Sequence, residues 1–225
     1  MKKICIYAVR ALSTSLLAQS NEEKRLKAAG DVLHEIMEVK EKSIPQDLLD
    51  KSECAVIVPS VKKGAFIVGG KYGKGFFTCR AKDGNGWGSP ASVIVEGGSL
   101  GFQIGGSESD VVLLVMNRKG ADRLLNNQFK LGGEASVAAG PVGRTTSADT
   151  DILLTAEILS YSRSRGVFAG LSLEGSTLRQ DLDGNKALYG KTMTNKEIIE
   201  GDPKPPAAGK LLLADLTKFS PRKSK

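Results

Sequence analysis

The sequence predicts an α+β fold: a curved or barrel-like, mainly antiparallel β-sheet with peripheral helices, in a single domain. Three observations point there. Runs of β-formers recur through the middle of the chain (CAVIVPSV, GAFIVGG, GFFTCRA, SVIVEG, LGFQIGG, DVVLLVMN), separated by glycine, asparagine and lysine. Glycine supplies 26 of the 225 residues and clusters between those runs rather than in one tail, which favours strands and turns over a helical bundle. Helical periodicity frames the runs, and neither an internal repeat nor a linker divides the chain into halves.

Residues 1–20, MKKICIYAVRALSTSLLAQS, hold Lys2 and Lys3 ahead of a short apolar stretch that Arg10 interrupts. They read either as a secretory signal cleaved near Ala18 or Ser20, or as a basic amphipathic anchor that stays on the chain. Cleavage implies the periplasm, cell envelope or secretion; retention implies a cytoplasmic protein peripheral to a membrane. From Asn21 to Lys42, Leu26, Ala29, Leu33, Ile36 and Met37 recur at helical spacing. Asn21 with Glu22 and Glu23 makes a start, and Gly30 a weak point. That stripe serves either core packing, the plainer reading, or insertion into a membrane.

Pro45 opens a short helix through Leu49, after which the strand runs begin. KDGNGWGSP is a turn by composition, ADRLLNNQ (121–128) a short helix, and ILLTAEILSYS a segment of undecided type. DGNKALYG and KEIIEG suggest short helices, with Asn185 as a cap and Tyr189 packing back. PKPP then breaks the chain, AGKLLLADLTKF forms a last amphipathic helix, and residues 220–225 are a basic tail.

Composition is that of an ordinary globular protein, with 40% apolar and 25% charged residues. The formal charge of +7 suits an anionic partner without choosing among membrane, nucleic acid and acidic protein. Nucleic acid is disfavoured, because aromatics are only 5% of residues and just Tyr72 and Trp87 offer themselves for base stacking. Cys54 and Cys79 sit in apolar runs where buried free thiols are expected; pairing in an oxidising compartment is the alternative.

Catalytic patterns fail on their chemistry, so no enzyme activity is expected. GGSLG (97–101) satisfies a nucleophile-elbow pattern, but the one histidine, His34, precedes Ser99 by sixty-five residues. GNKALYGKT has five residues between its glycines where a phosphate loop has four. DLDGN (181–185) opens like a calcium loop, yet Lys186 stands where glycine is needed and Thr192 where the bidentate glutamate belongs. No cofactor is implied, and a weak divalent site at Asp181 and Asp183 is a minor alternative.

GGKYGKG (69–75) reads as an anion-cradling bend in which Lys71 and Lys74 bring charge to exposed backbone N–H groups. Lys62 and Lys63 precede the strand feeding it, and Arg80 leaves the next one. Paired as a hairpin, these cations gather near one end of the sheet. Solvated lysines on an ordinary turn are the alternative. Arg144, Arg163 and Arg165 stand beside glycines and carry planar forks suited to phosphate oxygens. Ion pairs with Asp149, Asp151 or Glu157 are the alternative there.

Six stretches, KKGAFIVGGKYGKGFF, GWGSPASVIV, GFQIGG, the GPVGR run, SRGVFAGLSLEGS and NKALYG, occur in one order. Together they resemble the SYLF domain family, over roughly Asn21 to Phe219. One departure is Gly88, where serine or alanine is expected after the tryptophan. The resemblance implies a lipid-binding module of bacterial secreted proteins and of eukaryotic membrane-trafficking and actin-patch proteins. Members bind phosphoinositides or other acidic phospholipids, and some bind actin filaments. The expected function is therefore non-enzymatic binding of anionic lipid headgroups through Lys62, Lys63, Lys71, Lys74, Arg80, Arg144, Arg163 and Arg165. An actin-binding or envelope scaffold using the same basic face is the alternative.

Overall fold

A computed structural model describes residues 2–39, 43–65, 68–82, 86–100, 105–142, 156–164, 167–170, 173 and 175–221. Helix α1 (Lys2–Glu38) leads into α2 (Gln46–Lys51) and four long strands: β1 (Cys54–Ala65), β2 (Val68–Cys79), β3 (Ala91–Leu100) and β4 (Gly105–Val115). After α3 (Arg118–Leu124) come the shorter β5 (Gln128–Lys130), β6 (Val137–Ala139), β7 (Ile158–Ser164), β8 (Val167–Gly170) and β9 (Thr177–Gln180). The chain closes through α4 (Leu182–Tyr189), α5 (Asn195–Gly201) and α6 (Lys210–Phe219).

The nine strands form one sheet, ordered β5-β9-β3-β2-β1-β4-β7-β6, with β8 beside β7. Every pairing is antiparallel except β6 with β7. The sheet has to curl. β5 and β6 lie at opposite ends of the order, roughly 34 Å apart if flat at about 4.8 Å per strand. The connection from Lys130 to Val137 reaches only about 24 Å when fully extended. The barrel-like architecture is thus a consequence of chain length.

Strand periodicity sorts the core into two layers. Cys54, Val56, Val58, Val61, Phe77, Val93, Val95, Val111, Leu113 and Val115 pack together with Phe129 and Leu178 from the far strands, filling the inside of the curl. Their neighbours Ala55, Ile57, Phe76, Val112 and Leu114 face outward under α1, α2 and α6. Burial on both faces explains why CAVIVPSV is a continuous apolar run.

The stripe Leu26, Ala29, Leu33, Ile36, Met37 is buried in the outer layer, so it is core and not a membrane-inserting face. Withdrawing such side chains from the core costs about 1.5–3 kcal/mol each, which decides against insertion. Gly30 is no weak point: a Cβ there meets the Leu212 backbone nitrogen at 3.0 Å, so glycine lets α1 and α6 approach closely. The helix also runs through Asn21 instead of starting there. Among the described residues no helix is long and apolar enough to cross a membrane.

Cys54 and Cys79 stand directly opposite each other on β1 and β2 and are disulfide-bonded, correcting the expectation of free thiols. Asp181, not Asn185, caps α4, accepting from the Gly184 N–H at 3.2 Å. Asn185 is fully buried and accepts from the Ser92 N–H at 2.6 Å. Tyr189 packs back as expected, its hydroxyl donating to the Pro90 carbonyl at 2.7 Å. The undecided segment is β7 where it is described. Trp87 is buried, which removes it as a stacking platform.

Candidate functional site

GGKYGKG is not a bend. Val68 to Cys79 is one strand, so Lys71 and Lys74, an odd number of residues apart, project from opposite faces. The glycines answer to packing. β1 carries an irregularity between Val58 and Val61, with Ser60 at φ +55° and its N–H bonded to Asp110 Oδ1 at 3.0 Å. It presses β1 onto β2 so closely that a Cβ on Gly75 meets the Ile57 carbonyl oxygen at 2.2 Å. A Cβ on Gly73 meets Val58 and Val61 side chains at 2.9 Å.

Beyond that irregularity the three rows next to Val61 across the four long strands are mostly glycine, lysine, serine and glutamate. Gly106, Gly64, Gly70 and Gly98 stand in one cross-strand row on the outer face, exposed and with little above them. Two residues along, still on that face, the row is Glu108, Lys62, Tyr72 and Glu96. Tyr72 is 48% exposed, one of the few large apolar side chains so exposed among the described residues. The inner-face row between them is Ser107, Lys63, Lys71 and Gly97.

Lys63 and Lys71 are direct cross-strand partners, an arrangement that like charges disfavour. Burial, and then the Lys63 charge, hold the Lys71 ammonium below the ordinary lysine range. The Lys71 stem runs across Gly97, where a Cβ would lie 3.0 Å from its Cε. None of Lys62, Lys63 and Lys71 has an ion pair within 4.0 Å among the described residues. Lys62 stands opposite Glu108, so the uncompensated charge rests on Lys63 and Lys71. An anion between those two ammoniums relieves their repulsion.

The other described candidates are structural. Lys74 reaches outward to Asp181 at 2.6 Å and Glu22 at 3.9 Å, joining β2 to the α4 cap and to α1. Arg80 donates to the Ser52, Leu49 and Asp50 carbonyls at 3.1, 3.0 and 3.0 Å, and to the Ser220 carbonyl at 2.7 Å. It thereby closes the C-terminal ends of α2 and α6 while stacking 4.2 Å over Trp87. Arg163 binds Asp110 at 2.8 Å and also pairs with Glu35 of α1. Asp149 and Asp151, expected as possible partners, lie outside the described residues. Glu157 instead pairs with Arg123 at 2.6 Å and Lys119 at 3.6 Å. Arg144 and Arg165 lie outside the described residues.

The six described members of the basic set therefore do not gather in one place. Ser99, the serine of GGSLG, lies within β3 opposite Gly69 and not at a strand-to-helix elbow. Asp181 of the calcium-like stretch is occupied by Lys74 and its own helix cap.

The fold is a one-domain, barrel-like α+β sheet with a lysine-bearing end. The chain belongs to the Ysc84 family, whose model, described as "Las17-binding protein actin regulator", matches residues 96–218; this bears out the SYLF resemblance. Among similar proteins is the "SH3 domain-containing protein PJ696.02" of Schizosaccharomyces pombe, 34% identical over 198 residues, covering 84% of this chain and 45% of that protein. The human "SH3 domain-containing YSC84-like protein 1" is 31% identical over 207 residues, covering 89% and 60%. "LAS seventeen-binding protein 3" of Saccharomyces cerevisiae is 34% identical over 169 residues, covering 73% and 36%. The chain thus spans about half the length of the curated relatives it matches.

Proposed function

We propose that the chain is a non-enzymatic binding module for anionic, phosphate-bearing lipid headgroups at a membrane surface, engaged through Lys62, Lys63 and Lys71. The observation that carries this reading is the directly opposed Lys63–Lys71 pair, which has no ion pair among the described residues. On the inner face, Gly97 and Ser107 flank the Lys63–Lys71 pair in its row, so no large side chain stands beside the two ammoniums there. At about 1 kcal/mol per basic residue near an acidic surface, three lysines give a weak, reversible and salt-sensitive contact. Arg144 and Arg165 remain candidates for the same surface. With residues 1–20 cleaved as a leader, the module works in the envelope or outside the cell; retained, at a cytoplasmic membrane face.

A second reading rests on the family description as an actin regulator: the same lysines meet an acidic protein surface, as on an actin filament. Flotation with neutral and acidic vesicles at low and high salt, beside co-sedimentation with filaments, separates the two. The lipid reading expects capture by acidic vesicles alone, lost as salt rises. Filament binding with no vesicle capture replaces it with the second reading.

A further inference from the structure

At the end of the curl opposite the lysines lies a cavity of about 530 Å³, within the range of small-molecule sites. Both sulfur-bearing residues of the Cys54–Cys79 disulfide line it, with Leu125 of the segment after α3 and Ile199 of α5. Lys82 and Arg118 also line it. The two cysteines differ in access: Cys54 is 1% exposed, whereas Cys79 is partly exposed. Nothing in the lipid reading uses this place.

The bond joins residues that the ladder already holds. On one side of the pair, the Glu53 N–H donates to the Val115 carbonyl at 2.8 Å and the Arg80 N–H to the Glu53 carbonyl at 2.9 Å. Ala55 is in register with both Thr78 and Leu114. Opening the disulfide therefore alters the cavity wall and leaves β1 held by both neighbours.

We propose that this disulfide is a thiol-exchange site, at which Cys79 takes a low-molecular-weight thiol from the cavity. The incoming thiolate attacks Cys79 Sγ, forming a mixed disulfide there as the Cys79–Cys54 bond breaks. The bonding pair leaves on Cys54 Sγ, and that thiolate takes up the proton the small thiol released. No net oxidation occurs in this step. Return of the Cys54 thiolate onto Cys79 expels the small thiol and restores the starting state. A second molecule of the thiol, attacking the adduct, instead leaves both cysteines reduced and carries away the two electrons' worth of oxidation as its own disulfide. Both cysteines line the cavity, and the greater exposure of Cys79 favours attack on its sulfur over that of Cys54.

The test uses the full chain with Cys5→Ser, which removes the one other cysteine, and glutathione at a series of reduced-to-oxidised ratios. Intact mass and peptide mapping read the adduct, and far-UV circular dichroism reads the fold. One reversible adduct on Cys79, about tenfold or more favoured over Cys54 with the fold retained, is the expected result. Cys54→Ser in that background is expected to form the adduct, and Cys79→Ser to resist it. A disulfide that exchanges only in denaturant, or an adduct mapped to Cys54, overturns the proposal and makes the bond a sealed cross-link. Should either serine variant misfold, the map on the unsubstituted pair still decides.

Discussion

The two halves of the same four strands make different proteins of one sheet. In the half holding Cys54–Val58, Phe76–Cys79, Ala91–Val95 and Val111–Val115, side chains on both faces are packed, inside the curl or beneath helices. In the other half the ladder resumes after a register shift at the β1 irregularity, and its cross-strand rows are mostly glycine, serine, lysine and glutamate, with Tyr72. Backbone pairing is common to both, so hydrogen bonding does not distinguish them. Burial does. The packed half carries stability, and the bare half is free to carry a like-charged pair that a core would reject.

The cations divide along the same line. Those of the packed half and its borders, Lys74, Arg80 and Arg163, each have partners that join separate elements. Those of the bare half, Lys63 and Lys71, face one another. Among the described residues, these partnered cations tie separate elements together, and the proposed function rests on the two opposed lysines, which have no ion pair.

The sharpest way to break the comparison is at the seam. Gly75→Val drives a side chain into the Ile57 carbonyl and is expected to destabilise the fold by about 3 kcal/mol or more, measured by denaturant unfolding. An unfolding curve unchanged from that of the parent shows that the strands do not need this close approach. Arg80→Ala strips the ends of α2 and α6 of their shared donor. A loss of roughly 3 kcal/mol is expected, with vesicle binding intact once the protein is folded.

Opposite behaviour is expected of the bare half. Lys63→Ala with Lys71→Ala leaves stability unchanged or raised and weakens acidic-vesicle binding by roughly 30-fold, from about 1 kcal/mol per lysine. The smallest effect sharpens the account most. Because the folded state lowers the Lys71 pKa, the unfolded chain binds more protons just below the ordinary lysine range, so stability rises with pH there. Lys71→Met removes the buried charge, so it is expected to gain a few tenths of a kcal/mol near neutrality and to flatten that alkaline rise. A loss of stability instead means that Lys71 has a structural partner.

How much of this was legible in the sequence follows from the range over which each signal acts. The α+β class, the single domain and the apolar stripe of α1 come from local periodicity, and each is present. The closure of the sheet was only partly legible, since it follows from β5 and β6 being neighbours in the chain and strangers in the sheet. GGKYGKG was misread because four glycines in twelve residues of β2 imitate a turn. Their cause is the pressure of β1, a contact that no local pattern records. Even so, the three-residue spacing of Lys71 and Lys74 was enough to place them on opposite faces once a strand was assumed. Arg80 was beyond reach: its acceptors are backbone carbonyls at residues 49, 50, 52 and 220, which carry no residue-type signature. The disulfide was visible as an alternative and is fixed by register, Cys54 against Cys79.

The central claim is that unpartnered charge at the bare end, and not net charge, binds the acidic surface. Flotation on acidic vesicles decides it with two variants of equal net charge. One carries Lys62→Ala, Lys63→Ala and Lys71→Ala; the other Lys191→Ala, Lys204→Ala and Lys210→Ala, three exposed lysines elsewhere. The account predicts that the first stays at the bottom of the gradient while the second floats with the parent. Equal loss in both contradicts it, and reduces the membrane affinity to a property of overall charge.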